Sequence, residues 1–284
     1  MRTARFFTNR IFSCLAISMA IFMTILLSSC VPLGIPEELL TEDVMRPASW
    51  TVRDISVDQE FGRGVYEYDD QGNLMSEVRT ILYGSGNVDY VVTFTFEYDE
   101  DNRIAKKNRS YQEYDSEGNS SGSPYNSSNT YNYNESGKVV SVSNSSSIYS
   151  SGGPTEYAYD EEGQLIRYGE ASSPSATFNW HEGLLTRRSV DSEHYRTFTY
   201  NDKNQCTLLR DYRTYGSTSY YVQAAYTYDE KGLLVRKKYY DQVHCFSYQD
   251  FTWEFGKTNY DIKDLELYNI YQYGLFSDTG IPTD

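Results

Sequence analysis

The chain has 284 residues, 40 acidic against 25 basic side chains, a formal net charge of −15, and 29 tyrosines. That acidity argues against nucleic acid and against an anionic membrane surface as partners, since both would repel it. His181, His194 and His244 have no metal-ligand spacing, and no phosphate loop, nucleophile elbow or Cys/His catalytic pattern occurs, so neither cofactor nor catalytic residue is assigned.

Residues 1–29 read as a targeting segment. Arg2, Arg5 and Arg10 form a basic start, and Ile11 to Leu27 is an apolar run. Leu27-Ser28-Ser29-Cys30 resembles the lipobox of bacterial lipoproteins. The resemblance implies cleavage before Cys30 and acylation of that residue, which anchors the chain firmly to a membrane. The competing readings are an ordinary secretory signal or a membrane anchor. Loss of the three arginines takes the net charge from −15 to −18. Val31 follows the cysteine where an inner-membrane retention signal would carry Asp, which favours the outer membrane, on either its periplasmic or its surface side. Residues 30–49, with Pro32, Pro36 and Pro47, read as a tether, and repeat-type strands are expected from Trp50, with Val52, Ile55 and Val57.

Residues 50–256 carry one repeated phrase, aromatic-x-aromatic-Asp-x-x-Gly-x-Leu. Copies begin at Tyr66, Phe96, Tyr131, Tyr157, Phe178, Phe198 and Tyr226, and a worn copy lies at Phe251, Trp253 and Gly256. Each reads as a β-hairpin. Aromatics two apart share one strand face, and the residues between them are mostly polar. Asp-x-x-Gly suits a type I turn closed by a left-handed residue. Asn102 and Asn204 stand where Gly is missing, and Asn is the next residue to tolerate positive φ. This turn pairs Asp160 with Gln164 and Tyr159 with Leu165. It likewise sets Tyr68 against Leu74, Tyr98 against Ile104, Tyr133 against Val139, Tyr200 against Cys206 and Tyr228 against Leu234. The copy at Phe178 is one residue short, and a two-residue loop at Glu182-Gly183 would pair Trp180 with Leu185.

Looser connections are expected at the other end: Gly84 to Asn87, Ser151 to Pro154, Ala171 to Pro174 and Tyr215 to Ser217. Asp115 to Asn129, rich in Ser, Gly and Asn, reads as the longest loop, with Tyr114 to Gly118 as an outer-end turn. His181 reads as a turn residue. Asp99 to Asn102 resembles a calcium loop faintly, but it lacks further ligands and its turn role accounts for it. Residues 257–284 read as a cap over the end of the array. Cys206 and Cys245 fall three strands apart, about 14 Å at ~4.8 Å per strand, which is too far for a disulfide. Two free, buried thiols are expected.

The Tyr-x-Tyr-Asp-x-x-Gly-x-Leu phrase resembles the YD repeats of RHS-type shell proteins. Together with the lipobox it is similar to the YD-repeat lipoproteins of Gram-negative gut bacteria, a domain of unknown function with a porin-like fold. That family carries no established catalytic residues, so none transfer. The expected fold is all-β, consecutive antiparallel hairpins in a meander of about sixteen strands, curled into a flattened barrel or a C-shaped shell because a round barrel of that size leaves an aqueous lumen. Lys106 and Arg167, placed on the aromatic face by the simple register, count against a barrel that spans the membrane.

The expected function is an outer-membrane-anchored lipoprotein, not an enzyme, that acts as a binding or scaffold module for a glycan or an envelope protein. The alternatives are an envelope enzyme acting on polysaccharide and a structural subunit docking through a sheet edge. A tight carboxylate pair in a cleft would favour the enzyme, an exposed planar row of Tyr or Trp the glycan module, and an uncovered edge the structural subunit.

Overall fold

The computed structural model describes residues 44–146, 153–215, 218–241 and 244–256. The signal segment, Cys30, most of the tether and the cap at 257–284 lie outside the described residues. Sixteen strands follow one another: β1 (Val44–Asp54), β2 (Glu60–Tyr68), β3 (Leu74–Leu82), β4 (Val88–Tyr98), β5 (Ile104–Tyr114) and β6 (Ser120–Tyr133). Then come β7 (Val139–Ser146), β8 (Thr155–Tyr159), β9 (Leu165–Glu170), β10 (Ser173–His181) and β11 (Leu184–Ser189). The last are β12 (His194–Tyr200), β13 (Cys206–Tyr215), β14 (Thr218–Tyr228), β15 (Leu234–Asp241) and β16 (His244–Gly256). Each pairs with the next, and β16 returns to β1, so the sheet is a closed barrel rather than an open C-shaped shell.

All seven hairpin registers expected from the turn chemistry are present, from Tyr68 opposite Leu74 to Tyr228 opposite Leu234, with Trp180 opposite Leu185 at the short copy. The turns form as the sequence requires. Asp160 N donates to the Gln164 carbonyl at 3.0 Å, and the Asp160 carboxylate accepts from Gln164 N at 2.7 Å. Asn102 and Asn204 take φ of 60° and 61° where other copies use glycine. At Glu182-Gly183 both residues are left-handed, giving the two-residue loop.

Every return strand then carries one extra residue that the sequence pattern did not reveal. Met75, Ala105, Val140, Ile166, Thr186, Thr207 and Val235 are bulges with no partner on the preceding strand. A bulge reverses the facing of everything beyond it. Lys106 therefore lies opposite Glu97 and Arg167 opposite Ala158, on the outer face, and it is Lys107, opposite Phe96, that points inward. Lys106 and Arg167 thus leave the aromatic face, where the simple register puts them.

The inner face is the core. Trp50, Val52, Leu74, Val92, Phe94, Phe96, Phe178, Leu185, Phe198, Leu209 and Val222 are buried. The outer face is polar: Thr93, Thr95 and Glu97 on β4, Lys106, Asn108 and Ser110 on β5, Arg236 and Lys238 on β15. A lipid-spanning barrel needs the opposite arrangement, an apolar outer band around a polar interior. Exposed large apolar side chains such as Val57, Val65, Met75 and Val190 are spread over separate strands and turns. No helix among the described residues is long and apolar enough to cross a membrane.

Three segments differ from expectation. Residues 44–49, read as tether, are the start of β1, because they complete the ladder with β16 from Val44 opposite Gly256 to Ser49 opposite Thr252. Ile55 and Val57, read as strand, stand exposed in the turn after it. The long loop expected at Asp115 to Asn129 is a tight turn, Asp115 N donating to Asn119 O, followed by β6, the longest strand. Ser120 to Pro124 are exposed, so that end of the β5–β6 hairpin is wet and shows no apolar alternation to read.

Cys206 and Cys245 are free, three strands apart as expected. Only Cys206 is buried. Cys245 pairs with outward-facing Tyr240 and is half-exposed, so the two thiols also lie on opposite faces.

Candidate functional site at the barrel rim

The turns that close the seven repeat copies all lie at one end of the barrel, whereas the Asp115-to-Gly118 turn lies at the other. β1 runs away from the end with the repeat turns, so the chain enters at Val44 and leaves at Gly256 beside them. The opposite rim is where β1, β3, β5, β7, β9, β11, β13 and β15 end.

Several charged side chains face inward, Lys237 and Arg109 among them, and two groups stand out. The first is closed upon itself. Arg79 donates from Nε to Glu77 Oε1 at 2.8 Å and from Nη2 to Oε2 at 2.9 Å, and Trp50 Nε1 donates to the same carboxylate at 3.3 Å. Lys107 Nζ lies 4.4 Å from the Phe94 ring centre, and the Arg79 guanidinium is 4.9 Å from it. Burial pushes the Glu77 carboxyl up, but Arg79 and Lys107 outweigh it and hold the group below its ordinary value. Its acceptors are taken by Arg79 and Trp50, as in a structural ion pair.

The second group lines a cavity of about 220 Å³ at the rim ends of β11, β12 and β13. Arg188, Arg196 and Asp211 form a row across three strands, Arg188 directly opposite Arg196 and Arg196 directly opposite Asp211. Arg213 and His194 face each other one step nearer the rim. Asp211 Oδ2 accepts from Arg196 Nε at 3.1 Å and from Arg213 Nη2 at 3.4 Å. Arg188 Nη2 donates to Tyr168 Oη at 2.6 Å. His194 Nδ1 is 2.9 Å from the carboxylate of Asp191 in the rim turn, which also accepts from Glu193 N and His194 N. Burial pushes the Arg196 guanidinium below its ordinary value; Asp211 opposes this, while Arg188 and Arg213 add to it. Arg188 Nε and Arg196 Nη1 are buried with no hydrogen-bond partner.

The outer face offers two further features. A groove of about 460 Å³ runs across β4 to β7, lined by Thr93, Thr95, Asn108, Ser110, Asn126 and Ser128 among others. Tyr195, Tyr212 and Tyr221 make a cross-strand row, with ring centres 4.8 and 5.5 Å apart. Tyr195 and Tyr212 are stacked face to face, and the Arg187 guanidinium lies 3.8 Å from the Tyr195 ring centre. Their flat faces are covered by one another and by Arg187, so this row is no open platform for a sugar.

The calcium-like stretch is a turn. Asp99 Oδ1 accepts from Asp101 N and Arg103 N, and Arg103 bridges both carboxylates. Among the described residues no three His, Cys, Asp or Glu side chains gather as metal ligands. The buried carboxylates among them, Glu77 and Asp211, lie on β3 and β13, each against arginine rather than a second carboxylate.

The sequence pattern marks none of the cavity residues, and His194 has no metal-ligand spacing. Arg188, Arg196, Asp211 and Arg213 sit in three strands, and only the bulge at Thr186 turns Arg188 inward in place of Arg187. Cys30, the predicted lipidation site, lies outside the described residues.

No family model matches the chain, and no curated protein is similar to it in sequence. Among solved structures it is similar to a porin-like protein from Bacteroides uniformis, with 14% identity over 73% of this chain and 96% of that one and a TM-score of 0.47. It is also similar to part of a TcdB2-TccC3-Cdc42 structure (10% identity, 71% of this chain, 16% of that one, TM-score 0.26). A third likeness is to part of the Photorhabdus luminescens Tc holotoxin pore (14% identity, 66% of this chain, 12% of that one, TM-score 0.21).

Proposed function

We propose that this protein is a lipid-anchored binding module of the cell envelope that holds a small hydrophilic ligand in the rim of its barrel. The observation that carries the reading is the position of the rim cavity, at the end opposite the one where the chain enters. A chain acylated at Cys30 would reach β1 through about a dozen residues, at most ~50 Å of extended backbone. The tight-turn end would then face the membrane and the cavity would face away from it. At about 220 Å³ the cavity is below the ~300–1,000 Å³ of drug-sized sites, so its occupant is of monosaccharide scale or is one end of a longer chain.

The alternatives have less support. Catalysis on polysaccharide would call for paired carboxylates, and Glu77 and Asp211 sit apart against arginines. Docking through a sheet edge needs an unpaired strand, and a closed sheet has none. Two measurements test the reading. Fractionation of cells making the wild type and the Cys30→Ser variant should find the wild type in outer membranes and the variant released. A thermal-shift panel of neutral and acidic mono- and oligosaccharides, amino acids and nucleotides on the mature chain should find at least one stabilising compound. A flat panel would end the small-ligand reading.

A further inference from the structure

We infer that the rim cavity is an oxyanion site: it takes its ligand by a carboxylate, sulfate or phosphate group held between Arg188 and Arg196. The inference rests on the binding reading above and names the chemistry of the ligand. Three guanidinium groups and one carboxylate line the cavity, in a chain whose net charge is −15. Like charges directly opposite on neighbouring strands repel, and Arg188 and Arg196 are such a pair. Asp211 answers only part of this: it accepts from Arg196 and Arg213 and makes no bond to Arg188. Tyr168, the partner of Arg188, offers a phenol oxygen and no carboxylate.

Unmet donors point the same way. A buried donor left without a partner is costly, more so on a charged group. Arg188 Nε and Arg196 Nη1 belong to facing side chains of one cavity. The charged cluster on the other side of the barrel shows the contrast, because there Glu77 answers Arg79 with both oxygens. An oxyanion between Arg188 and Arg196 would accept from both unmet donors and relieve their repulsion. Arginine forks match such groups in geometry as well as charge.

The test is thermal shift and calorimetry on the mature chain with matched probes at constant ionic strength. These are glucuronate against glucose, galacturonate against galactose, inorganic sulfate and inorganic phosphate. The expected result is stabilisation by acids and not by their neutral partners, about 5–10 °C at a hundredfold the dissociation constant. Stabilisation by the uronates alone assigns a carboxylate of a sugar; stabilisation by sulfate or phosphate alone assigns a tetrahedral oxyanion. Arg188→Met and Arg196→Met should each weaken the acid by about tenfold or more. Arg188→Met should also leave the unliganded melting temperature unchanged or higher, since it removes a repulsion, whereas a purely structural Arg188 would give a lower one. Neutral sugars binding as well as acids, with affinity unmoved in both variants, would overturn the oxyanion and leave the binding module standing. Failure of every probe, together with a flat broader panel, would overturn both.

Discussion

Tyr159 Oη donates to the Val139 carbonyl at 2.9 Å, across the junction between two hairpins. The same bond recurs right round the barrel. Tyr68 donates to Pro47, Tyr98 to Leu74, Tyr133 to Ile104, Trp180 to Leu165, Tyr200 to Leu185, Tyr228 to Cys206 and Trp253 to Leu234, all at 2.8–2.9 Å. Each donor is the second aromatic of a copy, and each acceptor is the residue at the bulge or register shift of the neighbouring hairpin. Tyr68 to Pro47 closes the ring, so the worn copy at Phe251 and Trp253 is the eighth hairpin, with β1 as its return strand.

This ring predicts a difference between two tyrosines of one repeat. Tyr159→Phe keeps the ring contacts, removes the hydroxyl and leaves the Val139 carbonyl unmet, a loss of about 1–3 kcal/mol. Tyr157 stands at the first position, where Phe96, Phe178, Phe198 and Phe251 stand in other copies. Tyr157→Phe should cost less than about 1 kcal/mol. Urea melts of the two variants compare them directly, and equal losses would show that the hydroxyl bond contributes nothing.

High pH should open the same ring. Burial pushes the Tyr159 phenol up to about 12, and burial likewise raises Tyr68, Tyr133 and Tyr200. An unfolded tyrosine ionises near pH 10, so between these values the unfolded chain binds fewer protons than the folded one. The contribution of these phenols is fully present below about pH 10 and is lost as pH rises toward their folded values. Circular dichroism and tyrosinate absorbance should change together above pH 10. Full ionisation near pH 10 with the barrel intact would contradict this.

A packing test lies at β1 and β2. Trp50 pairs with Gly64, and a Cβ on Gly64 would overlap the indole, whose Nε1 donates to Glu77. Gly64→Ala should therefore destabilise by about 1–3 kcal/mol through overpacking. Combination with Trp50→Leu should recover part of that loss relative to Trp50→Leu alone. Additive losses would mean that the two sites do not meet.

Much of the fold was legible because the turn chemistry is local: Asp, Gly and Asn set the loops, and the loops set the register of Tyr228 on Leu234. The bulges left no mark, since Met75, Ile166 and Thr207 share nothing a sequence pattern would register. Without them the simple register puts Lys106 and Arg167 on the aromatic face and turns Arg188 and Arg213 away from it. One signal of the ring is nonetheless in the sequence. The second aromatic of every copy is Tyr or Trp and never Phe, because that position needs a donor.

Closure itself makes the last prediction. In an open array a terminal hairpin can be removed for roughly the loss of its own interface. Here β1 holds two ladders, the Arg46–Glu254 ion pair at 2.8 Å and the Pro47 carbonyl that accepts from Tyr68. Deletion of residues 44–59 would leave β2 and β16 with unpaired edges, which sheets present to other chains. Size exclusion and circular dichroism should find that variant unfolded or associated. A folded monomer with a modestly lower melting temperature would instead mean that the hairpins stand as an array whose stability does not depend on the seam between β16 and β1.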